Sequence, residues 1–61
     1  MSSAVIIGSV TSPRNGKRYD VKWNSYSKDA YVAYAGWALV GNASSAEEAL
    51  AKALSWLAAN T

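Results

Sequence analysis

Ala4 to Thr11 (AVIIGSVT) is an uncharged run rich in β-branched residues, the pattern of a strand, and Pro13 closes it because proline cannot donate to a ladder. Lys17 to Trp23 alternates cleanly. Tyr19, Val21 and Trp23 fall on one face, and Arg18, Asp20 and Lys22 on the other. Between the two runs stands Asn15-Gly16, a strong hairpin signal that predicts a type I′ turn with positive φ at both residues. A polar connection, Asn24 to Asp29, leads to Ala30–Val40 (AYVAYAGWALV), which predicts a third strand with a bulge or bend at Gly36. The inward set changes phase at that glycine, so the pattern leaves open whether Tyr31 or Tyr34 faces the core. After the break Gly41 to Ser45, Ala46, Leu50, Ala53, Leu54 and Leu57 recur at helical spacing, with Ala49 and Trp56 widening the stripe. Ser44 and Ser45 each have a glutamate three residues on, so either can form a capping box for a helix over about residues 46–59.

These elements predict a single α+β domain over residues 1–61, a three-stranded antiparallel meander packed against one carboxy-terminal helix. One helix covers one sheet face, so the face carrying Arg18 and Lys22 is left for solvent or a ligand. The first strand is an edge, and the first charged residue in the chain is Arg14. With no lysine to discourage pairing, that edge invites a strand from a second copy or from a protein partner, unless the amino terminus folds back over it.

Composition narrows the chemistry. At 61 residues the core is small, and the absence of both Cys and His removes disulfides, the usual zinc ligands and the commonest nucleophiles and bases. The carboxylates number four, and Glu47 and Glu48 are accounted for by the helix start; no acid–base pair emerges, so we expect no enzyme, cofactor or metal. No run approaches the ~18 apolar residues of a membrane span, and AVIIG lacks the flanks of a signal peptide, so an intracellular (cytoplasmic) protein without membrane partners is expected. The net charge of +2 is unevenly spread. Five basic residues against Asp20 give +4 over residues 1–28; Lys52 against three carboxylates gives −2 over residues 29–61. Four of the basic residues, Arg14, Lys17, Arg18 and Lys22, crowd the hairpin.

GSV, a basic stretch, NGK, an aromatic and then VKW, followed by the capped SSAEEALAKALSWLAA, resembles the amino-terminal arm-site DNA-binding domains of phage and transposon tyrosine integrases. The plant ethylene-response-factor DNA-binding domain is similar in element order and in its Ala-Glu-Glu-Ala helix start. In both families the sheet lies in the major groove of duplex DNA. The resemblance implies a small non-enzymatic DNA-binding module with Arg14, Lys17, Arg18 and Lys22 as contacts, Arg18 reading a base edge. Tyr31 or Tyr34 from the third strand would join them, and we take Tyr34 as the contact. Where those families place further basic residues on the third strand, this chain has Ala30, Ala33, Ala35 and Ala38.

GKRYDVKWNSYS is also similar to the GK-Y-VKW-Y segment of chromodomains, which implies a protein-interaction module with Trp23 and Tyr26 as two walls of an aromatic cage. The chain's three tryptophans are otherwise expected in or beside the core, with Trp37 the best candidate for partial exposure.

Overall fold

The computed structural model describes residues 4–61. The chain folds as β1 (Val5–Thr11), β2 (Arg18–Trp23), β3 (Asp29–Ala33), β4 (Trp37–Asn42) and α1 (Ala46–Asn60). The strands form one antiparallel sheet in the order β1-β2-β3-β4, with α1 against one face. It is therefore an α+β meander with a single helix, as the sequence predicts, but with four strands instead of three.

The extra strand comes from Ala30–Val40, which is not one strand with a bulge. It reverses at Tyr34–Gly36, where Ala35 (φ 53°) and Gly36 (φ 92°) both enter the left-handed region. Two consecutive positive φ values turn the chain back, so that Ala33 pairs with Trp37 and Tyr31 with Leu39. An eleven-residue strand would also have overrun β2, whose pairing partners on β3 are only Ala30 to Val32. Gly36 does bend the chain, and the bend is a full reversal.

The β1–β2 hairpin is present, but its turn is not type I′, since only Gly16 (φ 73°) is left-handed. The loop is longer. Ser12 N–H donates to the Lys17 carbonyl at 2.8 Å, and Gly16 N–H donates to the Ser12 carbonyl at 2.9 Å. Asn15 contributes through its side chain, whose Oδ1 accepts from Lys17 N–H at 2.9 Å. The β2–β3 loop repeats this wiring: Asn24 N–H donates to the Asp29 carbonyl at 2.8 Å and Lys28 N–H to the Asn24 carbonyl at 2.7 Å. In each loop the first residue also caps from within. Ser12 Oγ accepts from Arg14 and Asn15 N–H, and Asn24 Oδ1 from Tyr26 and Ser27 N–H. Among the described residues Ser12 and Asn24 are accordingly the two buried polar ones, each satisfied by the loop it closes. The left-handed position is Gly16 in one loop and Lys28 (φ 69°) in the other.

Alternation puts Tyr19, Val21 and Trp23 of β2 on the helix side, as expected. Val21, Val32, Ala53 and Leu57 are fully buried and form the centre of the core, ringed by Ile7, Val10, Tyr19, Tyr34, Val40, Leu50 and Trp56. A second cluster of Ala30, Ala43 and Ala49 packs with Trp23. Alanines at 49 and 53 let the helix lie close on the sheet, and the payload comes from large residues around them. Leu54, expected in the buried stripe, is 40% exposed: the stripe that meets the sheet is Ala49, Ala53 and Leu57, and Leu54 lies beyond it. β1 remains an edge, with Val5 59% and Ile6 60% exposed; whether the amino terminus covers it lies outside the described residues.

Of the two candidate caps, Ser45 is the one used, its Oγ accepting from Glu48 N–H at 3.2 Å. Glu48 reaches back to accept from Ser44 N–H at 2.8 Å and lies 3.8 Å from Lys52 Nζ. The Ser44 hydrogen bonds, aided by Lys52, hold its carboxyl below the ordinary carboxylate range. A depressed folded value means that the contribution is complete above the unfolded pKa and is lost as pH falls through the folded one. Glu48→Gln should therefore flatten the acid limb of stability, measured by urea unfolding at a series of pH values, and change neutral stability less than it changes that slope. At the turns, a methyl group added at Gly16 would meet nothing within 4 Å, so Gly16→Ala should cost about 1 kcal/mol from φ alone. Ala35→Gly should move the other way by up to about 1 kcal/mol, and thermal unfolding reads both.

Candidate binding face

The uncovered face of the sheet is built from the alternate residues of the four strands. Register places Ile6, Lys22, Tyr31 and Leu39 side by side in one row across the sheet. Beside it run Ser9 and Asp20, paired between β1 and β2, and Ala33 and Trp37, paired between β3 and β4. Thr11 and Arg18 close the hairpin end, with Lys17 just beyond in the turn. Lys22 is the centre of this surface. Its Nζ lies 4.3 Å from the Trp37 ring centroid and 5.6 Å from that of Tyr31, a cation over two aromatic faces. Ile6, Leu39 and Trp37 are 60, 56 and 43% exposed, so the apolar side chains here are presented to solvent.

The five residues expected to contact DNA do not share this face. Lys17, Arg18 and Lys22 do, or border it. Arg14 turns toward the helix and its Nη1 donates to the Ala58 carbonyl at 3.3 Å. The last turn of α1 contains no basic residue, so Arg14 supplies the cation that the helix carboxy-terminus favours. Ser12 and Thr61 hydroxyls meet beside it at 2.6 Å, and Thr61 caps the helix by donating to the Leu57 carbonyl. Tyr34 is also on the helix side. Its ring stands edge-to-face with Tyr19 and Trp56, both at 5.6 Å, and its hydroxyl donates to the Asn60 carbonyl at 3.4 Å. The outward tyrosine is Tyr31. Alternation within β3 decides this: Tyr31 lies between buried Ala30 and Val32, and Tyr34, three residues on, falls on the opposite side.

Tyr31, Trp37, Leu39 and Ile6 complete a surface that the basic residues alone do not describe. A signal for three of them was present: once Ala30–Val40 is split at Ala35-Gly36, alternation around buried Val32 puts Tyr31 outside, and Trp37 and Leu39 follow on β4. Trp37 is the exposed tryptophan, as expected. Trp23 is turned inward, with its indole N–H donating to the Ala43 carbonyl at 3.0 Å and Lys28 Nζ 5.4 Å from its ring. Tyr26 is 81% exposed at the β2–β3 turn, while Trp23 packs against Ala30, Ala43 and Ala49.

A shallow groove of about 530 Å³ lies at the amino end of the helix, lined by Ser27, Lys28, Asn42, Ala43, Ser44, Glu48 and Lys52. Most of its polar groups already serve one another. Glu48 holds Ser44, Lys52 holds the Asn42 carbonyl, and Asn42 and Ser27 both donate to Asp29. No helix is long and apolar enough to cross a membrane among the described residues.

No protein-family model, curated protein or solved structure matches this chain. The likeness to integrase arm-site domains and to chromodomains thus rests on the short motifs that carry it.

The placement of Arg14 separates folding from binding within one cluster. Arg14→Ala should lower stability by about 0.5 kcal/mol in chemical denaturation, whereas Arg18→Ala should leave the midpoint nearly unchanged.

Proposed function

We propose that this chain is a small non-enzymatic DNA-binding module whose working surface is the open sheet face together with the β1–β2 hairpin. The observation that carries the reading is the presence of Arg18 and Lys22 on the side of the sheet that the helix does not need, with Lys17 in the adjoining turn. Lysine and arginine there can neutralise phosphates, and these contacts position the sheet without reading sequence. Arg18 is the residue placed for base contact, since its fork matches the acceptor pair on guanine. Asp20, between Arg18 and Lys22 on the same strand face, opposes close approach of a phosphate and holds the expected affinity down. Arg14 and Tyr34 belong to the fold in this reading.

A second reading follows from β1. This edge strand is uncharged and its Val5 and Ile6 are exposed, which suits strand addition by a protein partner or a second copy.

The test is binding of a labelled duplex by fluorescence anisotropy over a range of salt. Phosphate contacts by Lys17 and Lys22 give a slope of log K against log salt of about −2, and Lys17→Ala should reduce its steepness by about one. A slope near zero, or no binding at low salt, refutes the duplex reading. Concentration-dependent sedimentation without DNA binding would favour the edge strand.

A further inference from the structure

We infer that the aromatic half of the open face takes unpaired bases, so that the chain binds single-stranded nucleic acid in preference to a duplex. The inference rests on the nucleic-acid reading of this face and adds which form is bound. Its basis is the arrangement around Lys22. Lys22 pairs directly with Tyr31 across β2 and β3, and Trp37 is paired one step along with Ala33. Tyr31 and Trp37 are therefore diagonal neighbours on adjacent strands, and the lysine ammonium hangs over both rings, nearer to Trp37. Neither aromatic belongs to a core cluster, and Trp37 is 43% exposed.

A duplex has little use for this half of the surface. Its bases are stacked on one another, and its groove edges ask for hydrogen-bonding side chains, where Ile6, Tyr31, Trp37 and Leu39 offer chiefly apolar faces. An unpaired base has two free π-faces. It can lie on Trp37 or Tyr31 whatever its identity, while nearby cations hold the phosphates; this pairing of aromatic platforms with a basic track is how single strands are bound without sequence reading. Charge complementarity agrees, since the hairpin half of the chain carries net +4, with Arg18 at one end of the platform and Lys17 in the adjoining turn.

Lys22 has a place in both states. In the free protein its ammonium covers the Trp37 ring. When a base takes that ring face, the flexible stem lets the ammonium swing to the adjoining phosphate, so the cation exchanges one electrostatic partner for another. In the row beside the rings Ala33 and Ser9 are small, and Asp20 between them turns the phosphates toward Lys22 and the hairpin end.

The experiment titrates the full chain with oligothymidylate, with oligouridylate and with a mixed-sequence duplex, reading anisotropy and tryptophan emission. Trp23 and Trp56 pack against the core, so quenching on binding reports Trp37, and Trp37→Phe identifies its share. Either single strand should bind at least about tenfold tighter than the duplex with quenched emission. Trp37→Ala should weaken that binding roughly 10- to 100-fold while circular dichroism stays native, and Trp37→Phe should restore most of it. Comparison of the two oligonucleotides shows whether the sugar is read, and tight binding of either one supports the inference. Duplex binding as tight as single-strand binding, with emission unchanged and Trp37→Ala silent, overturns the inference and leaves the DNA reading standing. Binding to none of the three overturns both.

Discussion

One helix and one sheet can hide only one face of the sheet, and most of this structure follows from that. The helix of fifteen residues is about 22 Å long, comparable to the strands it lies on, so it covers the inner face and nothing more. Ala49 and Ala53 bring it close, Leu57 fills the space against Val21 and Val32, and the aromatic chain Tyr19–Tyr34–Trp56 seals one flank. Having neither disulfide nor clustered metal ligands among the described residues, the domain pins the helix at both ends instead. At the amino end, Ser45 and Glu48 close the first turn, Lys52 reaches the Asn42 carbonyl, and Trp23 bonds the Ala43 carbonyl. At the carboxy end, Arg14, Tyr34 and the Ser12–Thr61 pair take up the terminal groups.

That economy explains which parts of the fold were legible in the sequence. Periodicity marks elements whose two sides differ, and β2 and α1 show it plainly because one side of each is buried and the other wet. The first strand and the helix cap could be read from composition and from serine–glutamate spacing for the same local reasons. The split of Ala30–Val40 was hidden because its turn carries no Asn-Gly or Asp-Gly; Ala35 adopts a left-handed φ that its side chain disfavours. Conversely, Asn15-Gly16 advertised a tight turn, and Ser12 drew the chain into a wider loop by capping two of its amides. A hydroxyl one residue beyond a strand is a weak sequence signal, and its effect depends on the helix end that Thr61 brings to it.

The candidate face was legible in its charges and in the exposure of Trp37, and less so in Tyr31 and Leu39. Arg18 and Lys22 fall opposite Tyr19 and Val21 by simple alternation, which needs no tertiary knowledge. Tyr31 follows from alternation with Ala30 and Val32 in β3, whereas Trp37 and Leu39 depend on where the chain reverses. Arg14 shows the opposite failure. Its position in a basic cluster suggests a ligand, yet three-dimensional proximity to the end of α1 gives it a local partner that a charge count cannot see.

The residues of the open face carry almost none of the fold's obligations. Val21 and Val32 hold the sheet to the helix from the other side, while Lys22, Tyr31, Trp37 and Leu39 touch mainly one another and solvent. In a chain this small, exposing three large apolar side chains beside a lysine lowers solubility and gains little core. Polar residues at those positions would leave the inner face intact. A surface that the fold does not require, and that costs solubility, is what the proposed binding role would account for. On the nucleic-acid reading proposed above, the cation–π contacts of Lys22 keep the aromatic rings covered by a group that could leave them for a phosphate.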